Sequence, residues 1–259
     1  MHVVVTGASS GIGEAIAREW LARGESVTLV ARRADHLQRI AAAGSDRSHV
    51  IVADLTAIEP SMPESGFAWL DEAEAKLGPI DVLVNNAGIQ ICQRAAETDW
   101  AEAERLLRLD LLVPLRLTTL VLRRMIPRRT GTIVDVASMA ALAPTPGMFF
   151  YNAAKGGLAA ASEGLRAEVK PHGIHVVTVY PGPVTSELEA AGRAAFEDRA
   201  TVRNVPTGSP EVLARMVADA VVKKRPRVIY PRMYGAARHF PNMTRWALDA
   251  LTPPLKSGS

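Results

Sequence analysis

Cysteine is almost absent from this chain. Cys92 is the only one in 259 residues, so no intrachain disulfide framework can form and a reducing compartment is expected. It reads as a small packing residue. Long hydrophobic runs are missing as well: none reaches the roughly 18 residues of a membrane span. No signal-peptide pattern precedes the strand-like His2-Val3-Val4-Val5. A cytoplasmic protein without a transmembrane segment is expected, with attachment to a membrane surface left open. There is little excess charge of either sign, since 30 Lys and Arg face 27 Asp and Glu for a net +3, and the bases interleave with the acids. That pattern leaves no nucleic-acid footprint. The one dense basic run, Lys223-Lys224-Arg225 with Arg227, reads as a solvated helix end before a strand. The histidines are scattered. His172 and His175 span a helix end and the next strand, so no metal site is expected.

What remains is 48% hydrophobic, enough for a full core. Residues 2–5, 26–31, 49–53, 81–84, 131–137, 174–180 and 227–230 read as strands. Several are apolar with almost no alternation, as in parallel strands covered on both faces. Residues 11–23, 35–43, 67–77, 98–125, 150–170 and 210–223 read as helices. The alternation predicts an α/β fold, a doubly wound parallel sheet of about seven strands with helices on both faces. No repeat or compositional break divides the chain, so residues 1–259 are expected to form one domain. Residues 57–66, with Pro60 and Pro63, read as a loop insertion. Residues 183–209 follow a strand end and are a candidate substrate lid, and residues 232–259 form a C-terminal tail.

The first strand leads into Thr6-Gly7-Ala8-Ser9-Ser10-Gly11-Ile12-Gly13 and then a helix. Gly7 permits a tight exit, and Gly11 and Gly13 let backbone approach a pyrophosphate at the helix N-terminus. The spacing is Gly-x3-Gly-x-Gly rather than the more general Gly-x-Gly-x-x-Gly. An NAD site commonly has an acid at the end of the second strand to hold the ribose 2′-hydroxyl. Here that end carries Arg32 and Arg33 and no acid. Two guanidiniums there can clamp a 2′-phosphate, or they can simply solvate a helix start; the missing acid favours NADP(H) over NAD(H). Asp54-Leu55 ends the third strand, where Asp54 can meet adenine or cap a helix. Asn85-Asn86-Ala87-Gly88 ends the fourth, with small residues that let backbone pass close to a cofactor.

Tyr151 and Lys155 lie four apart in a helical stretch, which places phenol and ammonium on one face. The lysine charge favours phenolate, bringing a group with a free pKa of about 10 toward use near neutrality. With Ser138 upstream, the set points to a nicotinamide-dependent oxidoreductase. Negative charge built on a carbonyl oxygen by hydride needs a donor and then a proton, which Ser138 and Tyr151 can supply.

Thr6–Gly13, Asn85–Gly88, Ser138, Tyr151-x-x-x-Lys155 and Pro181-Gly182-Pro183-Val184-Thr185 together resemble the short-chain dehydrogenase/reductase family in its single-domain, Rossmann-like form. The resemblance covers about residues 1–185 by sequence, and extends by fold to about 231. It implies that Tyr151 is the general acid/base, that Ser138 hydrogen-bonds the substrate oxygen, and that Lys155 holds the nicotinamide ribose while assisting Tyr151. Pro181, Gly182, Val184 and Thr185 would flank the nicotinamide. The chain departs from the family at Asp110, where an asparagine usually anchors a relay water. An ionised carboxylate has only acceptor oxygens; it can hold a water, or pair with Lys155 and weaken its pull on Tyr151.

The resemblance also implies a homodimer or homotetramer built through the helices at 98–125 and 150–170. Burial within the monomer is the other explanation of their apolar and small residues. The expected activity is interconversion of a small-molecule carbonyl and alcohol. A low-turnover nucleotide-binding regulator, or an epimerase or dehydratase, is the alternative. Pro144, Pro146, Met148, Phe149 and Phe150, with Met233, Tyr234, Phe240, Met243 and Trp246, suggest an apolar entrance.

Overall fold

Strands that are apolar at consecutive positions need cover on both faces, and the computed structural model supplies it. The structure describes residues 1–57, 64–197 and 205–255. Parts of three predicted segments, residues 58–63, 198–204 and 256–259, lie outside the described residues. Seven parallel strands form one sheet: β1 (His2–Thr6), β2 (Ser26–Ala31), β3 (Ser48–Val52), β4 (Val82–Asn85), β5 (Gly131–Val136), β6 (Ile174–Pro181) and β7 (Arg227–Tyr230). Their order is β3-β2-β1-β4-β5-β6-β7. The order reverses between β1 and β4, which opens a crevice at their carboxyl ends.

Successive side chains go to opposite layers. Val3 and Val5 pack with α1 (Gly11–Ala22), α2 (Ala34–Ala41) and α8 (Pro210–Val222), along with Leu29, Val82, Val84 and Val177. Val4, Val30, Leu83, Ile133 and Val176 enter the other layer, beneath α3 (Trp69–Leu77) and α5 (Val113–Arg128). Burial on both sides is why these strands lack polar alternation.

The single helix expected over 98–125 is interrupted. It forms α4 (Trp100–Leu107), a wide π-turn (Arg108–Leu112) and then α5. Pro114 has no N–H to return to the Asp110 carbonyl, so regular α bonding cannot run through this point. The irregular turn lets the monomer bury Leu106, Leu109, Val113 and Leu117, leaving Leu112 exposed. Next come α6 (Phe149–Val169), α7 (Glu187–Ala194) within the predicted lid, and two short C-terminal helices, α9 (Ala236–His239) and α10 (Pro241–Leu251). No described helix is long and apolar enough to cross a membrane.

Candidate active site

The exits of β1 and β4 are tied together by Thr6 and Asn86. Thr6 Oγ1 donates to the Val84 carbonyl at 3.1 Å and accepts from the amides of Asn86 and Ala87 at 3.0 and 3.1 Å. Asn86 Nδ2 donates to the Thr6 carbonyl at 2.9 Å. The loop is so tight that a Cβ on Gly13 would lie 2.3 Å from the Gly7 carbonyl oxygen. Ser10 is extended and its side chain makes no capping bond, while Glu14 N–H returns to Ser10 O at 3.2 Å. The first-turn amides of Gly11, Ile12 and Gly13 therefore have no partner within the helix and form a cradle that fits a diphosphate.

Ser9 and the β2 exit form the next part of the wall. Arg33 Nε donates to Ser9 Oγ at 3.2 Å, and its Nη1 lies 3.9 Å from Glu187 Oε2. Arg32 Nη1 lies 3.9 Å from Asp54 Oδ2. Beside the phosphate end of the cleft, each guanidinium thus has a long ion-pair contact, and Arg33 is also held by its bond to Ser9. Asp54 caps no helix: its Oδ1 accepts from the Thr56 amide at 2.9 Å and the Thr56 hydroxyl at 2.7 Å, forming a turn. Leu55 is a buried wall residue. Asn85 does not reach the cleft. It ends β4 facing inward, and its Nδ2 donates to Thr118 Oγ1 at 3.0 Å and Asp135 Oδ1 at 2.8 Å. Asn86, Ala87 and Gly88 do line the cleft.

The catalytic candidates meet where α6 crosses the β5 exit. Ser138 opens a short 3-10 turn (Met139–Ala141), and its Oγ accepts from the Ala140 amide at 3.1 Å. Tyr151 and Lys155 stack on α6, with Nζ 5.9 Å from the phenol ring centroid. Lys155 Nζ donates to the Val136 carbonyl at 3.2 Å and lies 3.2 Å from Asp110 Oδ2. Asp110 is fully buried. Its Oδ1 accepts from the Ile89 amide at 2.8 Å, whereas Oδ2 has the lysine charge beside it but no aligned donor. A Cβ on Gly88 would lie 2.7 Å from that oxygen, so glycine is required where the β4 exit passes over it.

Burial raises the Asp110 pKa, against the opposing pull of Lys155 and the Ile89 amide. Burial works against the Lys155 charge, yet Asp110 and Tyr151 outweigh it and the lysine pKa is raised. The sequence-based expectation for Tyr151 needs correction. Burial raises its pKa; Lys155 and hydrogen bonding to Ser138 pull it down, Asp110 pushes it up, and the net direction is upward. The lysine alone does not make the phenol a ready base in this arrangement.

These residues line one cleft of about 1740 Å³ that also takes in Pro181, Gly182, Val184 and Thr185. Thr185 is fixed by its amide to the Gly208 carbonyl at 3.0 Å. Of the expected apolar entrance, Met148 and Tyr234 line the cleft. Phe149 points outward at 63% exposed, and Phe150 stacks edge-on against Phe149 and Trp100. No helix was expected in the lid segment 183–209 or in the tail 232–259, yet one from each completes the mouth. Helix α7 contributes Leu188 and Gly192, and Arg193 ties it to Thr207 Oγ1 at 2.6 Å and the Val205 carbonyl at 3.1 Å. Helix α10 contributes Thr244, Ala247, Leu248 and Leu251. Cys92 lies outside the cleft at a shallow hollow, and burial pushes its thiol up to about 11, which disfavours the thiolate. Among the described residues no group of three or more His, Cys, Asp or Glu is placed to hold a metal.

Comparison with known proteins agrees with this geometry. The sequence model of the short chain dehydrogenase family matches residues 1–196. The chain is 35% identical over 228 residues to a 3-ketodihydrosphingosine reductase of Bos taurus, covering 85% of this chain and 68% of the relative. A short-chain dehydrogenase structure from Streptomyces avermitilis superposes with a TM-score of 0.80 at 30% identity, covering 96% of this chain and 94% of that one. One from Sphingobium yanoikuyae, solved in complex with NADPH, gives 0.78 at 27% identity, covering 100% and 98%.

Proposed function

Because the chain belongs to the short-chain dehydrogenase family, we propose that it interconverts a carbonyl and an alcohol with NADP(H), acting as a reductase of an apolar ketone or aldehyde. The observation that carries this reading is a single cleft with Ser138, Tyr151 and Lys155 at one end and Arg32, Arg33 and Ser9 at the other. The β2 exit has two guanidiniums within reach of a 2′-phosphate and no acid of its own. Leu188, Leu248 and Leu251 at the mouth favour an apolar substrate.

A bound nicotinamide supplies the hydride. Ser138 Oγ donates to the carbonyl oxygen as negative charge grows there, and Tyr151 hands its proton to the same oxygen. Lys155, kept cationic by Asp110 in spite of burial, stabilises the phenolate left behind. In alcohol oxidation Tyr151 takes the proton instead. The amides of Gly11, Ile12 and Gly13 would hold the diphosphate, and Lys155 would hold the nicotinamide ribose. On α6, Ala153, Ala160 and Gly164 are exposed small residues that let a partner helix approach, which supports a homo-oligomer through α5 and α6.

The test is NADPH consumption, followed by absorbance, with a panel of apolar and charged carbonyl compounds. The reading expects turnover with apolar members. Tight NADPH binding without turnover across the panel would favour a nucleotide-binding regulator, for which the Asp110–Lys155 pair is the supporting observation.

A further inference from the structure

Helix α10 has no buried residue. Its inner face closes the cleft through Thr244, Ala247, Leu248 and Leu251. Phe240 just before its first turn, Met243 and Trp246 along it, and Leu251 at its end are 59%, 68%, 74% and 70% exposed. Large apolar side chains gathered in water on one short segment mark a contact surface.

The segment's own charge is one-sided. Between Pro231 and Leu255 the chain has Arg232, Arg238, Arg245 and His239 against a single acid, Asp249. Arg245 takes that acid. Among the described residues Arg238 pairs with Glu163, at 3.7 Å, an acid already gripped by Arg166 and Arg227. Arg232 is exposed, with no acid of the segment left to neutralise it.

We infer that α10 and the turn before it dock on an anionic lipid surface, with Phe240, Met243 and Trp246 entering the interface and Arg232 and Arg238 meeting lipid phosphates. A helix with an aromatic and apolar side, flanking arginines and modest overall hydrophobicity lies in the plane of a bilayer interface, where tryptophan sits at headgroup level. The positive charge selects anionic lipid over neutral lipid. A second copy of the chain is the poorer occupant, because it would set one net-positive segment against another of the same sign. Docking places the mouth of the cleft, whose wall includes the same helix, against the lipid. Direct passage of an apolar substrate would rest on the reductase reading; the docking itself does not.

The experiment is co-sedimentation of the full chain with vesicles of phosphatidylcholine alone or mixed with phosphatidylglycerol. Partition onto the mixed vesicles should be on the order of tenfold stronger and should weaken with added salt. The variant Phe240→Ser, Met243→Ser, Trp246→Ser should lose on the order of tenfold in partition. Its NADPH affinity by calorimetry should be unchanged, which shows that the fold is intact. Absence of wild-type binding, equal binding to both vesicles, or equal partition of the variant overturns the inference. So does a variant that dissolves a dimer in sedimentation equilibrium, since the segment would then be a contact between copies. Vesicle binding without carbonyl turnover would count against the reductase reading alone.

Discussion

Replacing Asp110 with asparagine removes one charge from the buried cluster at nearly constant shape. Asp110 Oδ2 is 3.2 Å from Lys155 Nζ, which is 5.9 Å from the Tyr151 ring centroid. The carboxylate is therefore at most roughly 12 Å from the phenol oxygen, and at an effective dielectric of about 20 the repulsion of a phenolate there is about 1.5 kcal/mol, or roughly one pKa unit. Asp135 on β5 also acts on Lys155 but is unchanged by the substitution. The sign follows from the structure: Asp110 raises the Tyr151 pKa, so Asp110→Asn lowers it. Alcohol oxidation, which needs the phenolate, should rise with pH about one unit earlier. Carbonyl reduction, which needs the phenol, should fall with pH about one unit earlier. The assay is a pH–rate profile of both proteins in both directions, with one substrate and saturating cofactor. An unchanged profile, or a shift to higher pH, refutes the reasoning. Strong activation from a nearly inactive wild type would favour the regulatory reading.

Arg32→Ala with Arg33→Ala should erase most of the preference for NADPH over NADH in calorimetry, at roughly ten- to a hundredfold in affinity for each charge-assisted hydrogen bond to the 2′-phosphate that is removed. Equal wild-type affinities for the two cofactors would refute the assignment. Burial pushes the Glu163 carboxyl up, but hydrogen bonds from Arg227, Arg166 and Tyr180 outweigh it and hold its pKa down to about 2. A depressed acid stabilises the fold above its unfolded pKa near 4.5 and loses that contribution as pH falls toward 2. Glu163→Gln should therefore lower Tm at neutral pH by several degrees, for about 1–3 kcal/mol after allowance for partial exposure, and the gap should narrow on acidification. The proposed homo-oligomer through α5 and α6 predicts a wild type heavier than one chain in sedimentation equilibrium, and Ala160→Arg should shift it toward the monomer without changing NADPH affinity.

The parallel sheet was legible in the sequence because burial on both faces leaves runs such as Val3-Val4-Val5 and Val82-Leu83-Val84. The tight glycine turn after β1 and the stacking of Lys155 on Tyr151 were legible because both depend on short-range spacing. Features set by tertiary contact were not. Apolar periodicity across 98–125 does not register a wide turn, although Pro114 was its local signal. Asn85 and Asn86 are neighbours in one motif, but successive strand residues face opposite ways, so only Asn86 joins the two exits. Helix α7 buries only Gly192 and α10 buries nothing, so neither left a core-facing pattern to read. The upward Tyr151 pKa comes from complete burial, which the spacing of two residues cannot convey.

The central claim is proton transfer by Tyr151 coupled to NADPH-linked carbonyl reduction in this cleft. Its most direct test compares wild type and Tyr151→Phe in NADPH oxidation with an accepted carbonyl, alongside NADPH affinity by calorimetry. The substitution keeps the ring in its packed position and removes only the hydroxyl. The account predicts loss of several orders of magnitude in kcat, about 4 kcal/mol or more, with cofactor affinity nearly unchanged. A Tyr151→Phe protein that retains most of its turnover would contradict it.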